Sequence, residues 1–282
     1  MKQYELVISP SRGGLAIDWR EMLHYRDLLW ILVRRDFLAQ YKQTMLGPLW
    51  LVIQPLMTTV VFTVIFSAVA KIPTDGMPPM VFYLCGMLAW GYFAACLGNI
   101  SNTFLVNAGL FGKVYFPRLI IPCSLMISRL IAFGIQLIMF AIILLYFKYF
   151  TQSGTMIRPG PWVVVLPGVL MISAGLGMGV GLWMAAFTTR YRDVAFLSSF
   201  LIQLWMYATP VVYPLSVIPE QWRWVAMLNP MTFVVECFRK AFLGVGLVNA
   251  SYLMMSVVIT IIVLISGVIA FSKAERTFVD TI

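Results

Sequence analysis

AFLGVGLVNASYLMMSVVITIIVLISGVIAFS, residues Ala241 to Ser272, holds no Lys, Arg, Asp or Glu across 32 positions. A helix needs about 20 apolar residues to cross the hydrocarbon core of a bilayer, so this stretch alone points to a membrane. Five more charge-free runs precede it. They extend from Gln43 to Ala70, Gly76 to Gly112, Leu130 to Phe147, Pro159 to Thr189 and Val194 to Pro219, and measure 28, 37, 18, 31 and 26 residues. In lipid only helices and closed barrels satisfy every backbone N–H and C=O group. The six runs predict an all-α polytopic membrane protein with six transmembrane helices.

Composition agrees. Charged residues make up 11% of the chain, against roughly 25% in a soluble domain, and mean hydropathy is +0.89. In 282 residues, six spans leave little for soluble structure. The reading is one membrane domain over 1–282 with no separate catalytic domain: a cytoplasmic or interfacial region at 1–48, a six-span bundle at 49–271 and a cytoplasmic tail at 272–282. The net charge of +9 fits cytoplasmic Lys and Arg better than nucleic-acid binding. Cys85, Cys96, Cys123 and Cys237 form no C-x-x-C pair, and His24 is the lone histidine, so no metal site is expected. The polar start, Met1 to Trp19, lacks the apolar core of a signal peptide.

Charge also sets orientation. Lys2, Arg12, Arg20, Arg26, Arg34, Arg35 and Lys42 precede the first span, which puts that region in the cytoplasm by the positive-inside rule. The spans are then expected at Leu49–Ala70, Met80–Ile100, Cys123–Phe147, Trp162–Thr188, Val194–Val212 and Ala250–Phe271. Of the 20 Lys and Arg, 14 fall inside and 6 outside in that arrangement, with both termini cytoplasmic. Arg129 is the one charge well within an expected span, two turns from the cytoplasmic end, where its side chain can snorkel to the headgroups. Glu21 to Thr44 carries Leu23, Trp30, Val33, Phe37 and Tyr41 at three- or four-residue steps among recurring charges. That pattern suits a helix lying in the cytoplasmic interface or a soluble helix on a partner.

Several motifs narrow the function. Ser173 to Gly181, SAGLGMGVG, has Gly175 and Gly179 on one helix face and Gly177 and Gly181 on nearly the opposite face. Such small-residue pairs let two neighbouring helices approach closely. No G-K-[ST] follows them, so they are not a phosphate loop. Gly109 to Lys113, GLFGK, has two residues between its glycines where a nucleotide loop needs four, and Val114 stands where Ser or Thr would bind magnesium. Any ATP that drives this chain must bind another subunit. Pro210, Pro214, Pro219 and Pro230 interrupt a segment still rich in Trp, Tyr and Val. Short re-entrant helices near the outer leaflet, or an aromatic interfacial loop, fit Tyr213 to Lys240. Tyr83, Trp90, Tyr92, Phe93, Trp205 and Tyr207 do not all fit an aromatic belt at span ends. They are candidates to line a glycan conduit, with lipid-facing packing as the alternative. No span carries a carboxylate pair, which argues against an enzyme and against proton-coupled transport.

Three stretches carry a family resemblance: RRDFLAQYKQTMLGPLW from Arg34 to Trp50, NAGLFGKVYFPR from Asn107 to Arg118, and LNPMTFVVECFR from Leu228 to Arg239. The chain resembles, over essentially its full length, the permease subunit of type-2 ABC transporters of the O-antigen and teichoic-acid export branch. The resemblance implies a homodimer paired with two copies of an ATP-binding subunit, which would hold the ATP and magnesium. It implies export of a polysaccharide linked to polyprenyl diphosphate across the bacterial inner membrane. It also implies a substrate-access gate at Leu46, Gly47 and Pro48 with Arg34 and Arg35 nearby, and ATPase coupling through Phe111, Gly112, Lys113, Tyr115 and Arg118. Within transport, the alternative is a type-2 ABC exporter of a drug or lipid. From another class, the alternative is a membrane-embedded transferase on polyprenyl-linked sugars, which the scarcity of His and buried acids disfavours.

Overall fold

The computed structural model describes residues 24–42, 44–111, 116–191 and 193–279. Among these, every regular element is helical. The α-helices are α1 (Arg26–Tyr41), α2 (Trp50–Phe62), α3 (Pro79–Ser101), α4 (Thr103–Phe111), α5 (Ile120–Phe150), α6 (Leu166–Thr188), α7 (Val194–Ala208), α8 (Glu220–Met227), α9 (Pro230–Phe242) and α10 (Ala250–Val279). Proline sits in the first turn of α3, α6 and α9, where its missing N–H costs nothing.

Among the described residues, five segments are long and apolar enough to cross a membrane: Gly47–Val69, Pro79–Ser101, Ile120–Phe150, Pro161–Thr188 and Ala250–Glu275. The remaining expected span, Val194–Val212, is shorter in the structure. Helix α7 ends at Ala208 after 15 residues, about 22 Å at 1.5 Å per residue against a core about 30 Å thick. The cause is local. Thr209 precedes Pro210 and is extended, with φ −98° and ψ 141°, because the proline ring disfavours helical geometry in the residue before it. The protein is therefore a polytopic membrane protein, with five helices of spanning length and the shorter apolar α7 among the described residues.

Helix α3 forms the centre of the bundle. Phe82, Tyr83, Cys85, Phe93 and Ile100 are all fully buried. Helices α5 and α6 pack on it, α10 packs on α6, and α9 covers one end of α3 and α6. Both glycine faces of α6 are used as the spacing predicts. A Cβ at Gly177 would lie 3.0 Å from that of Cys96, and one at Gly181 2.8 Å from that of Ile100, both on α3. On the other face, a Cβ at Gly179 would lie 2.8 Å from the Leu264 backbone of α10. Each glycine lets two backbones approach where a side chain would hold them apart.

The first span is built from three kinds of helical turn. A 3-10 turn at Gly47–Leu49 leads into α2, which contains Pro55, and a π-helical stretch at Thr63–Val69 completes it. Proline inside a helix removes a hydrogen bond. Thr59 Oγ1 donates to the Pro55 carbonyl at 2.7 Å, and Thr63 Oγ1 to the Thr59 carbonyl at 2.8 Å.

Candidate functional site

Helix α1 runs beside the start of α5. Leu32 packs with Phe116, Ile120 and Ile121, while Phe37 packs near Leu51 and Ala132. This anchors one face of α1 and leaves Trp30 and Ile31 exposed, as a helix lying in an interface requires. The chain then turns at Leu46-Gly47-Pro48. Gly47 has φ +54°, a left-handed conformation that glycine adopts without the penalty a side chain brings. Leu49 N donates to the Leu46 carbonyl at 3.1 Å and closes the turn. Met45, Leu46, Leu49 and Trp50 project outward around it, an apolar tip suited to lipid.

The two cations assigned to this turn differ. Arg34 is exposed. Arg35 is engaged: its guanidinium grips Asp36 Oδ1 at 2.7 Å and donates to Asn107 Oδ1 of α4 at 3.4 Å. Arg35 thus joins α1 to α4, the helix that ends at Phe111. In α4, Asn107 itself departs from helical geometry, with φ −109° and ψ 15°. Phe104 stacks on Phe271 of α10, ring centroids 4.6 Å apart. Phe111 ends α4, whereas Gly112, Lys113 and Tyr115 lie outside the described residues. Arg118 does not project into solvent. It donates to the Glu275 carbonyl at 3.1 Å and pairs with the Glu275 carboxylate at 3.5 Å, which ties the segment after α4 to the end of α10.

The aromatic candidates separate into two sets. Tyr83, Trp90, Tyr92 and Phe93 are at most 4% exposed and belong to the protomer core, with Tyr92 bordering a cavity between α2, α3 and α5. Phe93 meets Trp205 edge-on at 5.1 Å, and Trp205 donates to Asn229 Oδ1 at 3.1 Å. Only Tyr207 of the six is exposed. Phe196, Phe200 and Leu204 share its exposed face of α7. Their four-residue steps identify that face once the extent of the helix is known.

The broken segment after α7, where the sequence suggests short re-entrant helices, is held by a buried ion pair on α9. Arg239 and Glu236, one turn apart on α9, are 1% and 2% exposed and sit 3.1 Å apart. Arg239 also donates to the Val211 carbonyl at 2.7 Å and the Tyr213 carbonyl at 3.3 Å, and lies 3.8 Å over the Phe82 ring. Glu236 Oε2 accepts from Leu247 N at 2.9 Å. The proline breaks free backbone carbonyls, and Arg239 supplies the donors they lack. The opposite charges at three-residue spacing in an apolar helix were the readable signal.

Arg129 does not snorkel. Its Nη2 donates to Asn99 Oδ1 of α3 at 2.7 Å, and its Nε is enclosed without a hydrogen-bond partner. Among the described residues no group of three or more His, Cys, Asp or Glu could hold a metal.

With this geometry in place, the similarities to known proteins become informative. A family model described as ABC-2 type transporter matches residues 27–243. The chain is 29% identical to an O-antigen export system permease protein RfbA of Myxococcus xanthus, over 93% of this chain and 98% of that one. It is 28% identical to a protein of the same name from Klebsiella pneumoniae, over 90% and 94%. It is 23% identical to the polysialic acid transport protein KpsM of Escherichia coli, over 81% and 87%.

Proposed function

Because the chain belongs to the ABC-2 type transporter family, we propose that it is the membrane subunit of an ATP-driven polysaccharide exporter. Its cargo in this reading is an O-antigen-like or related cell-surface glycan linked to polyprenyl diphosphate, moved across the bacterial inner membrane. The observation that carries the reading is the near full-length similarity to permeases named for O-antigen export. ATP hydrolysis resides in a separate subunit, so this chain is a permease and not an enzyme.

Two copies of the chain pair with two ATPase subunits, and both termini lie in the cytoplasm. The turn at Leu46-Gly47-Pro48 admits the lipid-linked substrate from the inner leaflet, with Arg34 facing the headgroups. The segment from Phe111 to Arg118 receives the ATPase. Motion there reaches α1 through Asn107 and Arg35, whose contact joins the two regions, and reaches α10 through Arg118 and Glu275.

The test pairs this chain with its ATPase subunit in a strain lacking its own O-antigen exporter. Surface glycan should appear only when both are present, and ATP hydrolysis by the purified complex should rise with lipid-linked glycan. A complex that assembles but neither exports glycan nor responds to it would exclude the reading.

A further inference from the structure

A cavity of about 320 Å³ lies between α1, α2, α3 and α5, at the small end of the roughly 300–1,000 Å³ typical of ligand pockets. Beside α7 is another of about 340 Å³, lined almost wholly by apolar side chains. The first is different: Gln54, Thr58, Gln136 and Arg129 line it. Arg129 stands nine residues into α5, about 13 Å from its cytoplasmic end. Among the described residues no carboxylate lies within ion-pairing distance of it. Its contact with Asn99 satisfies one donor but leaves the charge uncompensated, and Nε has no acceptor. Arg129 is part-buried with its Nε enclosed, and a charge partly withdrawn from water without a counter-ion is held at a cost. Ionisable side chains within spans face cavities and mark ligand pathways.

The chemistry of this lining suits an anion. Phosphate oxygens match the fork of guanidinium donors, and the Gln54 and Gln136 amides can add neutral hydrogen bonds, whereas the Thr58 hydroxyl already donates to the Gln54 carbonyl at 2.9 Å. The cavity begins beside Gln40 and Trp50, next to the Gly47 turn, and its other walls include Leu51, Leu88 and Met139. A head group and the start of a hydrocarbon chain would both be accommodated.

We propose that Arg129, with Gln54 and Gln136, forms an anion site that takes the phosphate head group of a lipid entering beside α2. The site stands on the cavity and its uncompensated cation. Its assignment to the exported lipid-linked polymer rests on the export reading given above.

The experiment uses the full chain with its ATPase in nanodiscs of phosphatidylcholine. Binding is measured for geranylgeranyl diphosphate, phosphatidylglycerol and inorganic pyrophosphate. Arg129→Gln should weaken geranylgeranyl diphosphate at least about tenfold, the loss of a charge-assisted hydrogen bond. Arg129→Lys should fall between wild type and Arg129→Gln, because the charge remains while the fork of donors is lost. Geranylgeraniol, lacking phosphate, should not compete. Arg129 dependence seen for phosphatidylglycerol alone supports the lipid site and overturns its assignment to the cargo. Equal dependence for pyrophosphate overturns the lipid requirement. No dependence for any probe, with unfolding temperature and membrane level unchanged, overturns the site. If Arg129→Gln does not fold, Gln136→Leu serves, and unaltered diphosphate binding in that variant counts against the proposal. Failure of the wild-type complex to export glycan would sink the functional reading whatever Arg129 does, so the two failures are distinct.

Discussion

At Gly47 the effect of backbone conformation can be separated from that of packing. The residue holds φ +54°, and a Cβ built there meets no heavy atom within 4 Å. Gly47→Ala therefore adds no clash, and its whole cost is the left-handed conformation, about 1–2 kcal/mol for an L-residue. That corresponds to a fall of roughly five- to thirtyfold in the population of the native turn. Gly47→Val should cost more, because a β-branched residue at positive φ is a true outlier. Gly47→Asn should cost least, since Asn enters this region most readily after glycine. Anchoring of α1 through Leu32 and Phe37 is remote from the change, so membrane level and ATPase binding should hold. The assay is the initial rate of surface glycan appearance at matched membrane levels. The expected order is Gly, Asn, Ala, Val, from fastest to slowest. Ala and Val exporting at the glycine rate, or Asn failing as badly as Val, would refute the role of this turn.

The buried pair on α9 gives a second expectation: Arg239→Ala or Glu236→Ala alone should cost about 3–5 kcal/mol by stranding the partner charge. The double variant should lose less than the sum in thermal unfolding, whereas additive or negligible losses would break the argument. Two glycines of α6 should respond with opposite sign: Gly168→Ala, which meets nothing within 4 Å, should stabilise by about 0.5–1 kcal/mol through helix propensity. Gly179→Ala should destabilise, because its Cβ would meet the α10 backbone at 2.8 Å; unfolding temperatures that move together would contradict the packing account. For topology, a cysteine replacing Thr155 in a cysteine-free background should react with an impermeant external reagent while one replacing Arg12 should not, and the reverse pattern would invert the charge-based orientation.

What the sequence disclosed was what is local. Charge-free runs identified the spanning helices, and glycine spacing identified both packing faces of α6, because each depends on residues within a few turns. The length of α7 was misjudged because apolar composition continues past Ala208, while the break is a steric effect of Pro210 on Thr209. In the sequence Arg239 is one of the six cations outside the membrane, and its burial is not legible there, since only the fold brings the Val211 and Tyr213 carbonyls to it. Arg129 was expected to reach the headgroups, and Asn99 on another helix turns it inward. Arg35 likewise meets Asn107, a partner 72 residues away. The core positions of Tyr83, Trp90, Tyr92 and Phe93 were illegible for a related reason: in a chain apolar throughout, hydrophobicity does not distinguish a side chain facing lipid from one facing protein.

The two glycine seams of α6 have a mechanical corollary. A helix in backbone-close contact on opposite sides has no room to roll or slide, since either motion drives a neighbour's side chains into its own main chain. Helices α3, α6 and α10 then behave as a stiff plate, and a transport cycle that alternates between two shapes must find its compliance elsewhere. The compliant edge is the first span, where 3-10, α and π turns meet around Pro55 and most of the surface is free of the plate. Covalent staples across the α3–α6 and α6–α10 seams should leave the cycle running, whereas a staple fixing α2 to α5 should stall it.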